Sequence, residues 1–277
     1  MRPQRPHAHE GCCDIRFVRS GAQSEAQSSS STAMAYDTNG VIGDFAMGDV
    51  ERQYALAGPC ENGLRSLVGV SYSKRRFERL LFGPCSPFTG GVEVENCKFI
   101  SCSTDSTFSV AHGVRMRHVL FDDVRAPDAM LVSSATVLQD VIIRGGKKAA
   151  ALWCKPPSHG DVNDALLEWS KAEMANVKLA IDFSELSARD SEVVGIPLSK
   201  LRWNPEIHIP VSLSWRESAH WDELELSPRS FWRINLLRLQ DFNCPEGVFT
   251  VPFPGDRNFD LKMDELARIE DAGILRR

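Results

Sequence analysis

Four residues in this chain could act together on a bond. Asp105, within Ser103-Thr104-Asp105, and the pair Asp122-Asp123 supply carboxylates, and His159, followed by Gly160, supplies an imidazole. Hydrolysis of a glycosidic bond needs two flanking carboxyl groups, one to protonate the leaving oxygen and one to activate water or attack. A second set, Asn96, His118 and Asp140, recurs at 22-residue steps. An imidazole between an amide and a carboxylate could serve as an acid–base group. The same positions could instead make tight corners, since Asn and Asp tolerate unusual backbone angles. A third set is basic. Arg125, Lys147 and Lys148, near Asp128, could hold a phosphate or an acidic partner, or form a solvated cluster; Lys74-Arg75-Arg76 has the same standing. Gly145-Gly146-Lys147-Lys148 lacks the spacing of a phosphate loop, and no Gly-x-Ser-x-Gly elbow occurs. His7, His9, Cys12 and Cys13 are soft-metal donors, but they fall in a stretch of low apolar content where such residues are incidental. With no Cys-x-x-Cys, neither a metal nor a cofactor is expected.

The elements that would position these groups follow from a repeat. Val92, Val94, Cys97, Phe99, Cys102, Phe108 and Val110 superimpose on Val114, Met116, Val119, Phe121, Val124, Met130 and Val132, and again on Thr136, Leu138, Val141, Ile143, Gly146, Leu152 and Cys154. Only Thr136 and Gly146 of the 21 positions are not apolar. The runs alternate with period two, which points to short strands separated by turns and excludes helical repeats. Outward slots carry matched charges: Glu93 meets Arg115, Glu95 meets Arg117, and Asp122 meets Arg144. Stacked at the ordinary strand spacing of about 4.8 Å, such pairs are cross-strand neighbours, each contributing about 0.2–1 kcal/mol. Two outward slots are apolar instead. Leu120 stacks with Ile142, and Leu131 with Trp153, which makes them a candidate interaction surface unless a loop or the C-terminal segment covers them.

The expected fold is all-β: a right-handed parallel β-helix, a β-solenoid of about 22 residues per coil, with an irregular N-terminal cap and a C-terminal helical cap. On the Phe99/Phe121 stack, the aliphatic ladders and the corner series Asn96/His118/Asp140, residues 92–154 resemble coils of the pectin-lyase-like superfamily, and right-handedness is what that resemblance implies. The order of Ser103-Thr104-Asp105, Asp122-Asp123, His159-Gly160 and Arg233-Ile234-Asn235 is similar to the motif order of β-helical polygalacturonases. It departs from that order at Ser103 and Asn235, and Asp105, Asp123 and His159 are off the 22-residue register.

Residues 1–34 read as a disordered leader ending in the Ser28–Ser31 tract, and residues 35–220 as the solenoid, with regular coils over 92–154 and irregular coils after 160. Residues 221–277 read as a capping segment. Subtracting 22 from the repeat places Phe77 under Phe99, Leu80 under Cys102 and Phe88 under Val110. Strand-like runs occur at 165–169, 177–183, 192–196 and 206–213. Ser227-Pro228 suits the start of a helix before Phe231, although that run could also be a buried strand, and Leu261 to Ile274 suits a final helix near 260–273. The net charge of −5 argues against a nucleic-acid binder. Nothing reads as a membrane span or a secretory signal, and the eight cysteines fit reduced thiols in a cytoplasmic protein. The leading expectation is therefore a non-enzymatic interaction or scaffold module with a protein partner or a second copy of itself; the alternative is a carbohydrate-active enzyme using Asp105, Asp122 and Asp123.

Overall fold

The period-two runs become short strands that pair in parallel with their equivalents along the chain, as seen in a computed structural model that describes residues 58–59, 65–83, 92–158, 162 and 164–275. The first sheet holds Arg65–Val68, Val92–Glu95, Val114–Arg117 and Val137–Gln139 in that order, with Gly58–Pro59 antiparallel at its edge. The second holds Ser71–Ser73, Lys98–Ile100, Leu120–Asp122, Val141–Arg144, Ile181–Asp182 and Leu201–Arg202. The third holds Leu80–Phe82, Phe108–Val110, Ala129–Ser133, Ala151–Lys155 and Glu192–Val194. Up to Lys155 the chain visits these three sheets in turn and returns one strand further along, with a two-stranded sheet of Arg76–Phe77 and Ser103–Thr104 between the second and third in the first circuits. Between 92 and 154 the pairing register is 22 residues throughout, with Val92 on Val114, Phe99 on Phe121 and Leu131 on Trp153. The molecule is mostly β, and its stacked parallel sheets are compatible with a β-solenoid.

Two corners per circuit fix this length. Gly69, Asn96, His118 and Asp140 all have positive φ (69°, 53°, 55° and 52°), as do Lys74, Ser101, Asp123 and Gly145 at the next corner. L-residues enter this left-handed region at a cost that is smallest for Gly, Asn and Asp. The corner reading of Asn96, His118 and Asp140 thus has a direct backbone basis. Gly145 is also crowded, since a Cβ there would lie 2.6 Å from that of Ala149.

Twenty of the 21 inward slots are buried. Phe99 stacks on Phe121 at 5.1 Å and 19°, and Phe108 meets Phe121 edge-on at 5.2 Å. Thr136, the polar inward slot, donates its hydroxyl to the Ala111 carbonyl. Gly146 is the exception: it is exposed and opens a turn closed by Ala149 N–H to Gly146 O, while Ala150 bonds back to Val124 O.

The first circuit differs from the expected 22-residue step. Arg65 pairs with Val92, Tyr72 with Phe99 and Phe77 with Thr104, a register of 27, and Leu80 pairs with Phe108. Phe77 therefore does not lie under Phe99, nor Leu80 under Cys102. The extra chain falls between Phe82 and Val92, so the strands keep their contacts while the spacing changes; Phe88 lies outside the described residues. The leader at 1–34, with His7, His9, Cys12 and Cys13, and most of the segment up to Arg65 also lie outside them.

Residues 165–169 are not a strand. They belong to helix α1 (Asp164–Ala175), a run rich in Ala, Leu, Glu, Lys and Met, with no β-branched residue. It is inserted where the next strand of the first sheet would come, so Val141 pairs with Ile181, 40 residues on. α1 lies across Val137–Gln139 and covers Val137. Its C-terminal end is held by Lys200, whose ammonium donates to the carbonyls of Met174, Ala175 (3.0 Å) and Val177 (2.9 Å).

Parallel pairing ends at Glu192–Val194 and Leu201–Arg202. Glu246–Thr250 pairs antiparallel with Glu192–Val194, and His208–Ser212 pairs antiparallel with Glu246–Thr250. One face of this closure joins the coil core through Val248 and through His208, which meets Phe183 edge-on at 4.9 Å. The other face joins a second core with Trp215, Trp232 and Leu266. That core lies under helix α2 (Phe231–Asp241) and helix α3 (Phe259–Asp271). The run from Phe231 is thus helical, and its N-cap is Ser230, whose hydroxyl accepts from Trp232 N–H, rather than the expected Ser227. Ser230 in turn donates to Glu265 of α3 at 2.7 Å, and Ser227 N–H reaches the same carboxylate. The helices therefore form a second layer over an antiparallel strand pair, rather than lying directly on the last coil.

Candidate functional site

The candidate residues distribute around the perimeter of the coils. Asp105, just past the strand Ser103–Thr104, accepts from Arg76 Nε at 2.5 Å. Asp122 accepts from Arg144 at 2.9 Å across the strand pair, and Asp123, at a left-handed corner, accepts from Arg125 at 2.9 Å. Each carboxylate is thus committed to its own arginine. Ser103 stacks on Arg125, so Asp105 falls in line with the residues beyond Arg125 and not with Asp122 or Asp123. His159 lies outside the described residues.

Of the charge pairs expected from the repeat, Glu93–Arg115 (3.1 Å) and Asp122–Arg144 form. Arg115 does more than pair with Glu93. It also meets Glu173 of α1 at 3.2 Å, and its guanidinium lies 5.0 Å from the Trp169 ring centroid, so a residue placed by the repeat docks the inserted helix. Glu95 and Arg117 are cross-strand neighbours, but among the described residues they make no ion pair. In the basic set, Arg125 turns to Asp123, while Lys147, Lys148 and Asp128 are exposed.

Arg117 instead lines a groove of about 580 Å³ between the first sheet's last corner and the C-terminal end of α1. Its polar walls are Arg117, Gln139 and Asp140 on the coil side and Glu173, Asn176 and Lys178 on the helix side. Asp140 is also the last member of the corner series. The imidazole of His118 sits beside it, Nδ1 to Oδ2 being 3.5 Å, and both side chains are partly exposed. The series is therefore a line of corner residues, and its Asp140 end opens onto the groove. Arg117 and Asp140 could be read from the repeat as outward slots. Glu173, Asn176 and Lys178 could not, because the inserted helix is off the register. For Glu173 the signal was the composition of 164–175, rich in helix formers with an acidic residue in the first turn; Asn176 and Lys178 follow the helix.

The apolar pairs stack as the repeat implies, Leu120 on Ile142 and Leu131 on Trp153, but on two different sheets, the second and the third. Ile142 is 42% exposed and Leu131 is 39% exposed. Trp153 is more embedded: its indole N–H donates to Asp190 O at 2.6 Å, and Lys155 sits 4.5 Å from its ring centroid. Beside it, Glu192 is buried between Lys155 and Arg238 of α2. Burial raises the Asp190 carboxyl above its ordinary range, assisted by the charge of Glu192.

Cys97, Cys102, Cys154 and Cys244 are free and buried. Burial pushes all four thiols above their ordinary value, which keeps them protonated and unreactive. Among the described residues, no group of three or more His, Cys, Asp or Glu side chains is placed to hold a metal ion, and no helix is long and apolar enough to cross a membrane. Comparison of the chain with protein-family models, curated proteins and solved structures found no match.

Proposed function

We propose that this chain is an intracellular β-solenoid that serves as a binding scaffold for a protein partner, a second copy of itself included. On this reading its stacked coils are a right-handed parallel β-helix of the pectin-lyase-like kind, resembling that superfamily in architecture and not in chemistry. The observation that carries the proposal is the exposure of Ile142 and Leu131 on coils whose outward slots are otherwise largely polar or charged. The α-helices among the described residues cover other parts of the molecule: α1 lies over the first sheet, and α2 and α3 belong to the closing layer. Apolar side chains left open on rigid sheets, here one on the second and one on the third, are the kind of surface that association buries. The free thiols fit a reducing compartment. The carbohydrate-active alternative draws less support, because Asp105, Asp122 and Asp123 each face an arginine.

The test replaces Leu131 and Ile142 together with serine and leaves Trp153 in place, since Trp153 also anchors Asp190. Light scattering after size exclusion reads self-association, and affinity capture with the wild-type chain as reference reads heterologous partners. The double variant should keep the wild-type circular dichroism and melting temperature and lose its self-association or its captured partner. A variant that associates and captures as the wild type does would overturn the proposal.

A further inference from the structure

The groove at the end of α1 has a charge arrangement that points to a ligand. One of its two acids is paired: Glu173 is held by Arg115 at 3.2 Å, while Asp140 lies 3.5 Å from the imidazole of His118. The carbonyls at the end of α1, which carry the negative pole of the helix and would repel an anion, are taken up by the ammonium of Lys200. The two bases are differently placed. Among the described residues, neither Arg117 nor Lys178 makes an ion pair, although Glu95 is the cross-strand neighbour of Arg117. Gln139 and Asn176 add side-chain amides to the same walls. A guanidinium, an ammonium and two amides offered to one space, with Glu173 already paired and the carbonyls at the end of α1 taken up by Lys200, make a donor-rich site for a carboxylate or phosphate oxygen. The volume is in the range that takes a small organic molecule rather than a bare ion.

We propose that this groove binds a small, hydroxyl-bearing organic anion, with Arg117 and Lys178 on its charged group and Gln139 and Asn176 on the remainder. Such a site is distinct from the apolar faces and does not depend on a protein partner. Its position gives the insertion that carries α1 a purpose, since the segment just after the helix supplies half of the donors, Asn176 and Lys178.

Titration calorimetry on the full chain tests it with three probes: citrate, glucose 6-phosphate and uncharged glucose. Citrate, glucose 6-phosphate or both should bind, and which one does distinguishes a carboxylate site from a phosphate site; glucose should bind far more weakly. Arg117→Gln and Lys178→Gln should each weaken the charged probe by about tenfold or more, the loss of one charge-assisted hydrogen bond. Lys147→Gln, at an exposed base outside the groove, should leave binding unchanged. Circular dichroism checks that the variants fold, and if Arg117→Gln does not, the exposed Lys178→Gln decides. Silence from both anions, equal binding of glucose, or groove variants that bind as Lys147→Gln does would each overturn the proposal.

Discussion

The coils of residues 92–154 and the closing layer of residues 204–275 both bury large apolar clusters, yet they are specified in different ways. In the coils, an inward side chain meets its equivalents on the neighbouring circuits, so one rule, an apolar residue at a fixed slot, is applied repeatedly. The main-chain groups bond along the stack, and the buried polar side chains are two hydroxyls, Thr104 and Thr136. The closing layer has no repeated slot. Its core holds Glu265, Asn235 and Ser230, and its face toward the coils holds His208. Glu265 and Ser230 satisfy each other, whereas both imidazole nitrogens of His208 and both amide atoms of Asn235 are buried without a hydrogen-bond partner. A periodic core tolerates substitution within a type. A core joined by individual polar contacts depends on particular residues and on their protonation.

Removing a stacked ring should break the periodic side most strongly. Phe121 touches Phe99 and Phe108 and is almost fully buried. Phe121→Ala should cost about 3–5 kcal/mol, read as a lower urea midpoint. A loss below about 1 kcal/mol, the scale of a volume-conserving swap, would mean that the coils do not share one packed interior.

Acid should break the other side. Burial lowers the His208 pKa from 6.5 to about 4, with a backbone contact from Asn204 opposing it weakly. His208 is 1% exposed and packs on the uncharged Phe183. The unfolded chain then takes up a proton that the folded chain refuses, so stability is intact above about pH 6.5 and falls as pH drops toward 4, by about 3 kcal/mol in all. His208→Leu should flatten that part of the pH profile. Hydrogen exchange near pH 4.5 should show residues 208–212 and 246–250 opening before 114–132; simultaneous opening would erase the distinction between the two regions.

The smallest effect is on the coil surface. A double-mutant cycle on Asp122 and Arg144, both partly solvated, should return a coupling of about 0.2–1 kcal/mol that shrinks with added salt. A coupling above about 2 kcal/mol, the range of desolvated pairs, would mean that the surface pairs do more to hold the register than the interior does.

What was legible in the chain follows the same division. The inward slots, the charge pairs Glu93–Arg115 and Asp122–Arg144 and the corner series could be read because a two-residue alternation locked to a 22-residue repeat leaves little freedom. Tyr72 under Phe99 was missed because the extra residues before Val92 shift the spacing without touching a strand. Gly146 was misread because the chain turns outward there to follow a crowded corner at Gly145. α1 was misread because Ala165, Leu166 and Leu167 read as a short apolar run when taken alone; the helix formers and the absence of β-branched residues over the whole run separate the two. Half of the groove was hidden for the same reason, and the division of the apolar pairs between two sheets needs the full circuit rather than the register alone.

The two long excursions of the chain share a point of departure. The extra residues of the first circuit leave from Phe82 and the α1 insertion follows Lys155, both at the end of a third-sheet strand. The other two turns between 92 and 144 are held to constant length by residues locked in a left-handed backbone. The circuit therefore accepts added length at one place, and past the α1 insertion the second and third sheets continue in parallel although the first sheet ends. For a lineage or a designer this separates two kinds of change. Length added at that place is absorbed while the second and third sheets go on pairing, whereas length added at a left-handed corner must be taken up before the next strand pairs.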